Sequence, residues 1–154
     1  MNRTMILAAA ATLLSTPAAF AEAASSGDAA AGEAAFRQCI ACHVVVNEAG
    51  ETLAGRNART GPNLYGVSGR AAGTVEGFRY SASMVEAGEA GLVWDEARFA
   101  AYVKDPTGFL RQTLGDNGAR GAMSFRVRSE DDALNLYAYL VSLGPEMAED
   151  TASE

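Results

Sequence analysis

Apolar residues recur at helical spacing in three stretches of this chain, separated by polar, glycine-rich segments. The first stretch follows Ser25-Ser26-Gly27-Asp28, with Asp28 or Ser26 as N-cap. Ala31, Gly32, Ala35, Phe36 and Cys39 share one face, and the small residues admit a second helix close by. The second follows Trp94, with Asp95 as N-cap and Phe99, Tyr102 and Val103 as its apolar face. It stops at Asp105-Pro106, because a residue before proline disfavours helix. The third follows Ser129, with Ala133, Leu134, Leu136, Tyr137, Leu140 and Val141 as its stripe and Gly144-Pro145 as its end. Weaker signals predict a short helix over 82–88, capped by Ser81 and ending at Gly88, and one turn over Pro106–Leu110. Residues 44–60 and 111–128 show no period and read as loops, and Gly61–Gly66 reads as a tight turn. No β alternation is visible, so the predicted fold class is all-α.

The two ends differ from this pattern. Arg3, the apolar run Met5–Leu14, Pro17 and Ala19-Phe20-Ala21 fit a secretory leader with an A-x-A cleavage site; Ala21-Glu22-Ala23 offers a second one. A membrane anchor fits less well, since the run is short and no stop-transfer pattern follows. The expected organisation is a signal peptide over 1–21, one domain over 22–144, and an acidic, disordered tail over 145–154.

The full chain has 12 Lys and Arg against 19 Asp and Glu, a net charge of −7. Losing Arg3 with the leader takes it to −8. That balance argues against nucleic acid as a partner. The charges are also segregated. Residues 111–128 hold Arg111, Arg120, Arg126 and Arg128 against Asp116 alone, whereas 129–154 hold seven acids and no base.

The strongest chemical signal is Cys39-Ile40-Ala41-Cys42-His43, which contains both cysteines and the single histidine. C-x-x-C-H is the attachment signature of haem c. Two thiols three positions apart can both reach the vinyl groups on one porphyrin edge, forming two thioether bonds, and the next residue offers an imidazole to the iron. A thioredoxin-like dithiol expects a βαβ setting, which is not visible, and a four-ligand zinc site needs more Cys or His than the chain has. Attachment outside the cytoplasm agrees with an exported, periplasmic protein. With one histidine, a bis-histidine haem is excluded. Of Met84, Met123 and Met147, Met123 is the candidate sixth ligand, since it lies in a long loop able to cover the far face of a haem.

From Gly32 to Leu143 the sequence resembles class I cytochromes c, near the soluble bacterial c2 type that is similar to mitochondrial cytochrome c. The resemblance rests on Cys39–His43, Gly61-Pro62-Asn63-Leu64-Tyr65-Gly66, Gly69-Arg70, Gly77-Phe78-Arg79-Tyr80, Trp94 through Tyr102 to Pro106, Met123, and Tyr137-Ala138-Tyr139-Leu140. It implies a helical fold wrapped around one covalent haem c, with His43 and Met123 on the iron. It further implies that the Pro62 carbonyl accepts from the second ring nitrogen of His43. Arg70, Tyr80 and Trp94 are expected around a buried haem propionate, where an unpaired carboxylate is costly. Tyr102 is expected near the Met123 sulfur, Phe125 over the haem edge, and Gly32 and Phe36 against Leu136 and Tyr139 or Tyr137. Read without the resemblance, Tyr80, Trp94 and Tyr102 are core aromatics and Arg70 is a surface charge.

The chain also departs from that pattern. Mitochondrial members place a lysine before the axial methionine, where this chain has Ala122, and Lys104 is its single lysine. The methionine-to-iron absorption band is therefore expected to persist to higher pH than in lysine-containing relatives.

The expected function is one-electron transport by a monomeric periplasmic carrier. It would dock transiently on membrane redox complexes, from a cytochrome bc1-type donor to a reaction centre or terminal oxidase, without inserting in the membrane. A haem enzyme or sensor with an open iron position, or a fixed subunit of a larger complex, are the alternatives. Carbon monoxide binding to the reduced protein separates the first of these from a carrier.

Overall fold

The computed structural model describes residues 25–145. The leader over 1–21, residues 146–154 of the tail, and Met147 with them, lie outside the described residues. Among the described residues there are five helices and one two-stranded hairpin, so the fold is helix-dominated.

Helix α1 spans Ala29–Phe36, and Asp28 is its cap: one carboxylate oxygen accepts from the N–H groups of Ala30 and Ala31 at 2.7 and 3.0 Å. Further turns carry the chain through the cysteines, with the His43 N–H donating to the Cys39 carbonyl at 2.9 Å. Helix α5, Glu130–Ser142, packs across α1. The crossing is close because Gly32 has no side chain. A Cβ there would collide with the Asn135 carbonyl and lie 2.7 Å from the Tyr139 Cβ. Phe36 packs on Tyr139, with ring centroids 5.6 Å apart. Tyr137 faces the other way, onto Phe99 at 5.5 Å, and its hydroxyl meets the Ser68 hydroxyl at 2.7 Å.

Three local expectations need correction. The stretch expected to be all loop contains strands β1, Val45–Val46, and β2, Thr52–Ala54, paired antiparallel with an irregularity between Val45 and Val46. Strands this short display no alternation to read. Gly50, at φ 81°, makes the reversal possible. Helix α2 spans Ala82–Glu89 and runs through Gly88 instead of ending there. That glycine serves close approach, since a Cβ would meet the Ala72 carbonyl. Helix α3 spans Glu96–Lys104, and α4 extends over Pro106–Leu114, well beyond one turn. Asp105 explains the extension. It ends α3 in an extended conformation, and its carboxylate accepts the Gly108 N–H at 3.2 Å to start α4, with Pro106 in the first turn. Gly115, left-handed at φ 65°, closes α4.

The core gathers Val45, Val67, Trp94, Phe99, Val103, Leu110, Leu136 and Leu140 from all these elements. Residues 69–72 run antiparallel to 92–94, with Gly69 N–H to Trp94 carbonyl at 2.8 Å and Trp94 N–H to Arg70 carbonyl at 3.0 Å. This places Arg70 and Trp94 at one register position beside the Ala71–Val93 bridge.

Candidate cofactor site

A cavity of about 340 Å³ opens at the centre of the fold, and Cys39, Cys42 and His43 line it together with Met123. Apolar side chains from every helix but α4 complete its walls, among them Phe36, Met84, Phe99 and Leu136. The two cysteines form no disulfide with each other. Burial, and then Cys42 nearby, push the Cys39 thiol up to about 11, so Cys39 has no stabilised thiolate at neutral pH.

His43 Nδ1 lies 3.0 Å from the Pro62 carbonyl oxygen. A carbonyl only accepts, so Nδ1 carries the proton and Nε2 keeps its lone pair. Burial favours the neutral ring and lowers its pKa, which the Pro62 bond only partly offsets. Gly61 leaves the ring its space: a Cβ there would collide with the imidazole. The loop is fixed on both sides of Pro62. The Gly61 N–H donates to the Cys42 carbonyl at 2.7 Å, and the Leu64 N–H donates to the Val44 carbonyl at 2.9 Å.

Arg70, Tyr80, Trp94 and Tyr102 also line the cavity. The Arg70 guanidinium is half-buried and donates to the Tyr65 carbonyl at 2.7 Å and the Asn63 carbonyl at 3.1 Å. Burial lowers its pKa and raises that of Tyr80, while each favours the other's charged form. Tyr102 is pushed up to about 12, by burial first and Tyr80 second, so its phenol stays neutral. Its ring sits 5.1 Å from Trp94. Phe109 of α4 completes the cluster, stacked on Trp94 at 6.1 Å and edge-on to Tyr102 at 5.9 Å. Sequence reading missed Phe109, because its helix was expected to be a single turn.

The Met123 strand of the wall is a loop held by tethers. The Arg120 N–H donates to Ser83 Oγ at 3.1 Å, the Gly121 N–H to Thr107 Oγ1 at 3.3 Å, and the Val127 N–H to the Val103 carbonyl at 2.8 Å. Arg126 pairs with Asp105 at 2.8 Å. Met84, considered less suitable from its place on α2, lines the same cavity and is buried. The structure thus brings two methionines to the site. Phe125 is exposed to 41% and stands where the cavity meets a surface cleft of about 620 Å³ flanked by Gln38, Arg126, Arg128 and Asp132.

No protein-family model matches the chain. Cytochrome c2 of Rhodovulum adriaticum is 69% identical over 119 residues, which cover 77% of this chain and 94% of that protein. Cytochrome c2 of Cereibacter sphaeroides is 53% identical over 135 residues, covering 87% and 90%. The chain belongs to the cytochrome c2 family. Among solved structures, Rhodobacter sphaeroides cytochrome c2 superposes with a TM-score of 0.76 at 54% identity, over 77% of this chain and 97% of that one. Ferric cytochrome c-550 of Paracoccus versutus superposes with a TM-score of 0.73 at 38% identity, over 78% and 100%.

As a class I cytochrome c2, the protein transfers electrons, is not an enzyme, and has one covalently attached haem c. The residues present fit that group. Two cysteines outside any disulfide, an imidazole with one nitrogen left open, thioether sulfur and apolar walls converge on one cavity. Among the described residues, no helix is long and apolar enough to cross a membrane.

Proposed function

We propose that this protein is a periplasmic shuttle, exported by its 1–21 leader, that carries single electrons between membrane redox complexes. Cys39 and Cys42 would hold the haem by thioether bonds, and His43 Nε2 and the Met123 sulfur would bind its iron. The haem iron supplies reversible one-electron exchange. The protein's own groups do the rest. Pro62 holds the imidazole in the donating tautomer. Arg70, Tyr80 and Trp94 furnish N–H and O–H donors for a buried propionate. Tyr102, kept neutral by burial, places a phenol O–H beside the sulfur side. Phe125 lies at the exposed edge, where electrons enter and leave.

Support for this reading comes from the convergence of Cys39, Cys42, His43 and Met123, three from one turn and one from eighty residues later, on a single apolar cavity. With both ligands supplied by the protein, the site would change charge with little rearrangement. The purified protein should show, when oxidised, the near-infrared band of methionine-ligated haem, and when reduced, no rapid carbon monoxide binding. Rapid binding would replace the carrier by an open-site sensor or enzyme.

The face around Phe125 is the proposed docking edge. Its positive charge is smaller than the count of arginines suggests, since Arg126 is paired with Asp105. Complementary potential acts mainly on encounter rate. Electron transfer to an acidic partner should slow as salt rises; a rate that climbs with salt removes this docking edge.

A further inference from the structure

We propose that Asn63 is a positioning residue for His43, holding the Pro62 carbonyl on Nδ1 and so setting how strongly the imidazole donates to the metal. This deepens the ligand assignment above and depends on it.

Asn63 joins three segments of the chain. Its Nδ2–H donates to the Val46 carbonyl at 2.7 Å, and its Oδ1 accepts from the Val46 N–H at 3.0 Å. The same oxygen accepts from the Tyr65 N–H at 3.1 Å, and the Asn63 carbonyl accepts from Arg70 Nη2 at 3.1 Å. The side chain therefore pairs with β1 through two parallel bonds, as a neighbouring strand would, and cannot swivel about one.

The consequence reaches His43 through one rigid unit. The carbonyl that accepts from Nδ1 belongs to the peptide plane running from Pro62 into Asn63, and that plane is stiff. Fixing Asn63 fixes the direction of the oxygen. Pro62 cannot help, having no N–H. The Gly61 N–H bond to the Cys42 carbonyl anchors the turn from its other side only. A ligand histidine whose second nitrogen is firmly hydrogen-bonded is more basic toward its metal. Loosening that bond disfavours the oxidised, more positive state, and the midpoint potential rises.

The test uses the full haem-loaded chain, as wild type, Asn63→Ala, Asn63→Asp and the control Asn47→Ala. Asn47 ties the same hairpin through Glu51 but bonds nothing in residues 61–65. Two readouts are taken: solvent exchange of the His43 Nδ1–H by NMR of the reduced protein, and the midpoint potential. In Asn63→Ala the proton should exchange roughly tenfold faster or more, the loss of somewhat over one net hydrogen bond, and the potential should move up. Asn63→Asp keeps the acceptor and loses the donor, so it should fall between, and Asn47→Ala should move neither. If Asn63→Ala lowers only the unfolding temperature, with both readouts at wild-type values, the inference is overturned; should that variant not fold, Asn63→Asp decides by the same readouts. Wild-type His43 ring protons without the upfield displacement of a haem-ligating imidazole would remove the ligand assignment itself, a separable failure.

Discussion

The two walls of the cavity that carry His43 and Met123 are built by different means. The histidine wall is backbone held by backbone. Cys39 to Val46 and Gly61 to Leu64 are stitched by main-chain bonds of 2.7–2.9 Å, with the Asn63 amide imitating one more strand pair. The methionine wall is a span hung between tethers. Ser83 and Thr107 hydroxyls take the N–H groups of Arg120 and Gly121 on one side, and the next main-chain bond is Val127 to Val103. A wall of the first kind resists local opening. A wall of the second kind loosens at the cost of a few side-chain bonds, each about 1 kcal/mol net. The sulfur side should therefore yield first under heat, alkali or a competing ligand. The protein's single lysine cannot exploit this easily, since Lys104 is paired with Glu130.

The largest test of the asymmetry separates the two methionines. Met123→Leu should abolish the near-infrared sulfur band and lower the midpoint potential strongly, while Met84→Leu keeps both close to wild type; spectroelectrochemistry decides. The reverse pattern would move the ligand onto α2. Next in size is the support behind the histidine wall. Gly32→Val forces a branched side chain into the α1–α5 crossing and should cost about 3 kcal/mol of unfolding free energy in urea, the upper end of ordinary overpacking. Alkali gives a smaller, pH-specific effect. Tyr102 stays protonated up to about pH 12 in the folded state, whereas its unfolded value is 10.0. Its contribution is intact below pH 10 and is lost as pH rises toward 12, at about 1.4 kcal/mol per pH unit. Tyr102→Phe should flatten that decline, seen as a urea midpoint that falls less than the wild type's between pH 10 and 12. Smallest is Thr107→Ala, which frees the Gly121 N–H. Added imidazole should then displace the sulfur about fivefold more readily in a spectral titration, with global stability lowered by about 1 kcal/mol or less. Unchanged imidazole binding would mean the tether does not hold the loop.

The chemistry of the site was legible where it is local. Cys39, Cys42 and His43 fall within five residues, and their spacing predicts haem attachment before any fold is known. The caps at Asp28, Ser81, Asp95 and Ser129 were readable for the same reason, since each bond closes within three residues. Extension of α4 past one turn was not readable, because Arg111, Gln112 and Thr113 gave no apolar period and the decisive cap, Asp105, is a residue shared between two helices. The hairpin leaves no trace in the sequence pattern, because strands of two or three residues cannot show alternation.

The residue pattern alone determined a helical chain with a haem-attachment turn near its start and a methionine candidate far along it. Tertiary structure alone decided which side chains meet. It set Phe109 under Trp94, brought both Met84 and Met123 to the cavity, and gave Asn63 its place against Val46. The reason is one of range. Caps and attachment spacing depend on torsions within one turn, so they are written in adjacent residues. Cavity walls depend on how close two helices can approach, and that distance is fixed by pairs such as Gly32 and Tyr139, more than a hundred residues apart.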